Sequence, residues 1–94
     1  MENFLSLKLA PPSTVLMREL AGDAVILDME KETYFGLDPV ATRMWTCLCE
    51  STSVAAALHT LQEEFDVEPA RLSEDLQAFI EKMRRLGLLR VAGE

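Results

Sequence analysis

The chain reads as an α+β domain, a three-stranded antiparallel sheet followed by three α-helices. Three observations predict it. Between Thr14 and Leu37, three apolar segments are separated by short turn-forming clusters. After Asp38 the apolar period lengthens from two residues to between three and four. The 94 residues suffice for one domain with a modest core, and not for two.

Residues 1–13 read as an N-terminal arm closed by Pro11-Pro12-Ser13, and residues 14–91 as the domain. Thr14–Leu20 is the first extended segment, mostly apolar and interrupted by Arg18 and Glu19. Ala21-Gly22-Asp23 is a turn signal. Ala24–Met29 is β-branched and apolar, the second strand. Glu30-Lys31-Glu32 is a polar turn, and Thr33-Tyr34-Phe35-Gly36-Leu37 returns as a short third strand. Its alternation places Thr33, Phe35 and Leu37 on one face and Tyr34 and Gly36 on the other. Short strands joined by tight turns predict an antiparallel meander.

Asp38-Pro39 starts the first helix, with Asp as N-cap and Pro in the first turn. Val40, Ala41, Met44, Trp45 and Leu48 form its apolar stripe. Glu50–Ser53 breaks it, and Val54, Leu58, Leu61 and Phe65 define a second helix. Asp66–Pro69 stops the chain and restarts it. The third helix runs from about Pro69 to Leu86, with Leu72, Leu76, Phe79, Ile80, Met83 and Leu86 as its apolar face. Acids sit early (Glu74, Asp75) and bases late (Arg84, Arg85), as the helix dipole favours, and Gly87 suits the position after the C-cap. Leu88–Val91 forms a short closing segment. A helix, a sharp break and a second helix also suggest helix-turn-helix topology.

A formal net charge of −7 argues against nucleic acid and against an anionic membrane surface, since both are bound through Lys and Arg. The arm carries neither a signal peptide nor an apolar run long enough to span a bilayer, and a cytoplasmic location is the expectation. Cys47 and Cys49 lie about 200° apart on a helix, too divergent for a bridge, and read as reduced packing residues. His59, the only histidine, has no nucleophile at a motif-like spacing. Glu63, Glu64, Asp66 and Glu68 read as solvated charge, and Met17, Met29, Met44 and Met83 as core. No phosphate-binding, nucleophile-elbow or metalloprotease motif occurs. A non-enzyme without cofactor or metal is the expectation. If the strands lie in sequence order, Thr33–Leu37 is a sheet edge, short and free of proline. Such an edge can accept a peptide strand through its main chain.

Several stretches, in this order and spacing, resemble the PqqD-like family. They are Gly22–Asp28, Tyr34–Ala41 with Met44-Trp45, Phe65-Asp66-Val67, Leu72–Leu76 with Phe79-Ile80, and Gly87-Leu88-Leu89. The resemblance covers about residues 14–90. Asp38 departs from it, where the family often has Asn, and both cap helices well. The resemblance implies a winged-helix-like recognition element for ribosomally made peptide natural products. Family members bind the leader of a precursor peptide as a strand antiparallel to the third strand, in a groove beside the third helix. Carried onto this sequence, the strand is Thr33, Tyr34, Phe35, Gly36 and Leu37, and the helix side is Asp75, Leu76, Phe79, Lys82 and Met83. Phe79 and Met83 would form an apolar pocket, with Asp75 and Lys82 as polar rims. A stand-alone chain of this kind resembles the leader-binding protein of a lasso-peptide pathway, whose partners are a separate leader peptidase and a macrocyclase. Two alternatives stay open: a peptide chaperone that presents a precursor to a radical SAM enzyme, as in pyrroloquinoline quinone biosynthesis, and a winged-helix DNA-binding protein. A monomer or weak dimer is expected.

Overall fold

The two-residue period of the first half and the longer period of the second each produce the elements they predict. The computed structural model describes residues 4–92. A 3-10 turn (Phe4–Ser6) leads to β1 (Leu9–Ala10), β2 (Val15–Leu20), β3 (Asp23–Asp28) and β4 (Thr33–Leu37). α1 (Pro39–Glu50), α2 (Val54–Glu64), α3 (Pro69–Arg85) and β5 (Arg90–Val91) follow. The meander is antiparallel in the order β2-β3-β4, so β4 is an edge.

Leu20 opposite Asp23 leaves a two-residue turn between β2 and β3. Ala21 and Gly22 both take positive φ there, 55° and 91°, the requirement of a type I′ turn. Glycine adopts this freely, whereas Ala21 carries a cost of about 1–2 kcal/mol. At the other hairpin the carboxylate of Asp28, itself buried, accepts the Lys31 N–H at 3.2 Å. Register places Val15, Asp28 and Thr33 in one row, Met17, Ile26 and Phe35 in the next, and Glu19, Ala24 and Leu37 in a third. Ile26, Ala24 and Leu37 are buried, so this face lies against the helices. On the opposite face Tyr34 is 75% exposed.

α1 and α2 begin on side-chain caps, whereas Glu68 before α3 makes no capping hydrogen bond through its side chain. The Asp38 carboxylate accepts the Ala41 N–H at 2.8 Å, and the Ser53 hydroxyl accepts that of Ala56 at 3.1 Å. α3 ends as Gly87 turns to φ 77°. The Gly87 N–H then donates to the Arg84 carbonyl and that of Leu88 to the Met83 carbonyl, the paired bonds of a Schellman ending. Met44, Trp45 and Leu48 of α1, Leu61 of α2, and Leu72, Leu76, Ile80 and Met83 of α3 share one core with Ile26. Of the predicted stripes, Ala41, Leu58, Phe65, Phe79 and Leu86 are half-buried against this core, and Val40 lies outside it. Val40, in the first turn of α1, is exposed, and Phe65 is the half-buried C-cap of α2. Met29 departs from its expected core position as well. It lies in the β3–β4 loop, where strand pairing has ended, and is 56% exposed.

The segment read as an arm contributes to the core through Leu7 and Leu9. β1 pairs with β5, Leu9 opposite Val91, which ties the two ends of the chain together. The Lys8 ammonium donates to the carbonyls of Leu48, Cys49 and Ser51 at 3.3, 2.8 and 2.7 Å. These are carbonyls at the end of α1 that no further helical turn can satisfy. No helix among the described residues is long and apolar enough to cross a membrane.

Candidate functional site

Two contacts bracket β4 against α3. At its start, the Lys31 ammonium lies 3.4 Å from the Leu86 carbonyl at the end of α3. Beyond its finish, Val40 shares a cavity of about 450 Å³ with Leu72 and Asp75 near the beginning of α3. The start of the strand thus lies toward the end of the helix and its finish toward the beginning. Asp75, Phe79, Lys82 and Leu86, spaced by four, three and four residues, share one flank of α3 and its C-cap, and Asp75 lines the cavity together with Val40.

The ten positions singled out in the sequence divide by exposure. Thr33, Tyr34, Gly36, Asp75 and Lys82 are exposed, and Phe35 and Phe79 are half-buried. Leu37, Leu76 and Met83 lie in the core, with relative exposures of 8%, 0% and 2%. Met83 therefore cannot line an open pocket with Phe79. It sits one turn beyond Phe79 and nearer the centre of the buried stripe, together with Leu76 and Ile80. Phe79, at the edge of that stripe, is packed on the core and still reaches the surface. Gly36 is not demanded by sterics, because a Cβ there would meet nothing within 4 Å.

The cavity was not legible in advance. Met44 and Leu72 form its buried floor, and Val40, Phe65 and Val67 its walls. Asp66, Glu68, Arg71 and Asp75 stand around it. The one hint in the sequence was Val67, an aliphatic residue between two acids in a loop.

The groups with reactive potential are held elsewhere. Burial pushes the Cys49 thiol up to about 11, against the opposing pull of Lys8. It raises Cys47 too, with Arg43 pulling the other way. Both thiols are thus protonated near neutral pH and poor nucleophiles. Part of the acid cluster is paired rather than merely solvated. Arg43 holds Glu64 through two hydrogen bonds, at 2.5 and 3.0 Å, and this lowers the Glu64 carboxyl below its usual range. Exposed His59 lies 2.9 Å from Glu63 one turn away. Among the described residues no group of three or more His, Cys, Asp or Glu could hold a metal ion. What the arrangement offers is an open strand edge with an apolar cavity beyond its finish.

The model of the family of coenzyme PQQ synthesis protein D (PqqD) matches residues 23–89. No curated protein sequence matches the chain. Among solved structures, TbiB1 in complex with the TbiA(beta) leader peptide is 26% identical. It superimposes with a TM-score of 0.79 over 89% of this chain and 95% of its own. A lasso peptide synthetase B1 complexed with the leader peptide shares the fold at 19% identity. Its TM-score is also 0.79, over 88% of this chain and 98% of its own.

Proposed function

The chain belongs to the PqqD family, and from that premise we propose that it binds the leader region of a ribosomally synthesised precursor peptide. The observation that carries this reading is the likeness to TbiB1, a protein bound to a leader peptide, over nearly the full length of both chains. The physical basis is the open edge of β4. Backbone groups of an added strand satisfy those of the edge, and alternate side chains of that strand turn toward α3. Thr33–Leu37 supplies the main chain. Asp75, Phe79 and Lys82 contact the peptide from the helix side, with Phe79 as the apolar anchor, while Leu76 and Met83 support it from beneath.

In this reading the chain has no catalytic step of its own. It works in the cytoplasm, residues 14–91 carry the recognition unit, and the bound peptide is delivered to a separate leader peptidase and a macrocyclase in lasso-peptide biosynthesis. The family description, which names coenzyme PQQ synthesis, favours a part in making that cofactor as the second reading; there the chain would present a precursor to a radical SAM enzyme. DNA binding is disfavoured by Glu63, Glu64, Glu74, Asp75 and Glu81 on α2 and α3.

The test is a titration of the purified chain with the N-terminal segment of its precursor peptide, followed by fluorescence anisotropy. Micromolar or tighter binding is expected for the leader and none for the core peptide alone. A leader that fails to bind at hundred-micromolar concentrations overturns the reading.

A further inference from the structure

We propose that the cavity between the start of α1 and the α2–α3 loop is a side-chain pocket that selects one bulky apolar residue flanked by Lys or Arg in the bound peptide. The inference rests on the reading of this chain as a peptide binder and adds what that peptide must contain.

Three observations carry it. The first is continuity. Val40 lies three residues beyond the last residue of β4 and forms one wall of the cavity, so a strand on the β4 edge leads into it. An antiparallel strand is the natural extension of an antiparallel sheet. It would run from the Leu37 end toward the Thr33 end, and so would reach the cavity with residues upstream of its paired segment. At ~3.3 Å per residue, the selected side chain lies within about three residues of the first paired one.

The second is size and polarity. A volume of about 450 Å³ falls in the range of small-ligand pockets, about 300–1,000 Å³. Val40 and Val67 are 46% and 42% exposed on its walls, aliphatic surface that an inserted apolar side chain would cover.

The third is charge. Asp66, Glu68 and Asp75 surround the opening against a single Arg71. None of the four is in an ion pair among the described residues. A peptide carrying a cation beside its apolar residue meets carboxylates that are free to pair, and one carrying an acid there is repelled.

The experiment is selection from a random twelve-residue peptide display library on the purified full chain, followed by anisotropy with the enriched peptides. The expected motif is a large aliphatic or aromatic residue next to Lys or Arg, at a constant distance upstream of an extended segment. Changing that apolar residue to Ala should cost at least tenfold in affinity. Val67→Trp fills the cavity from an exposed loop, and that chain should no longer distinguish the apolar peptide from its Ala version. Asp66→Lys combined with Asp75→Lys should reverse the preference of the flanking position from basic to acidic, with folding of each variant checked by circular dichroism. If the wild-type chain enriches no peptide, the peptide-binding reading fails and the inference with it. If peptides enrich without the apolar-basic pair, or V67W still discriminates between the two peptides, the pocket is refuted while peptide binding stands.

Discussion

Replacing Lys8 with Met removes the ammonium at the end of α1 and leaves an unbranched stem of similar length. In the native chain that ammonium donates to three carbonyls, two of them at 2.8 Å or closer. The last turn of α1 contains no basic residue, so nothing within the helix takes its place. A hydrogen bond to a charged group contributes about 1.5–3 kcal/mol, and a cation at a helix C-terminus about 0.3–1 kcal/mol. The three bonds share one donor and the side chain is only half-buried, so water recovers part of the loss. The contributions are therefore not additive, and the expected cost is about 2–4 kcal/mol. That is a large share of the ~5–15 kcal/mol that holds a typical domain together. Urea unfolding followed through Trp45, the single tryptophan, which is 3% exposed, measures it. The midpoint should fall while the m-value stays constant. A loss below about 0.5 kcal/mol would refute the reasoning. It would mean that solvent serves these carbonyls as well as Lys8 does, and that the N-terminal segment contributes through its apolar contacts and backbone pairing instead.

Three further outcomes are expected. Ala21→Asn relieves a left-handed alanine in the β2–β3 turn and should add roughly 1 kcal/mol in the same assay; no gain would argue that the turn is of another type. Phe79→Ala should weaken leader binding at least about tenfold. Because its ring is only half-buried, it should cost only about 1–2 kcal/mol of stability, so a variant that unfolds would mark Phe79 as core and one that binds normally would remove it from the site. Arg43 lowers the Glu64 carboxyl, so this pair stabilises above the unfolded value near 4.5, and its contribution disappears as pH falls through the lower folded value. Both side chains are more than a third exposed, so Glu64→Gln should cost less than about 1 kcal/mol at pH 7 and progressively less as the pH is lowered; a cost that does not change with pH would assign the effect to packing.

The features legible in advance are those set by neighbours along the chain. Asp38-Pro39 predicts a cap that forms because the carboxylate and the Ala41 N–H are three residues apart. Gly87 predicts a helix end because positive φ is a property of one residue. The alternation of Thr33, Phe35 and Leu37 predicts their common face because the pleat has period two. Position in the assembled molecule was harder to read. Phe79, Ile80 and Met83 all fit an apolar stripe, yet only their angle to the sheet makes Phe79 reachable while Met83 is sealed.

The amino-acid sequence by itself determined the order of the elements, the caps that bound them, the acidic character of the surface and the β4 segment that becomes an edge. Each follows from local backbone geometry or from composition. The tertiary structure alone decided the rest. It drew Leu7 and Leu9 into the core by pairing β1 with β5 across nearly the whole chain. It brought Lys8 to the end of α1 and opened a cavity between Val40 and Val67. Those contacts join residues far apart in sequence. Chain closure and the crossing of packed faces set them, and no local period records either.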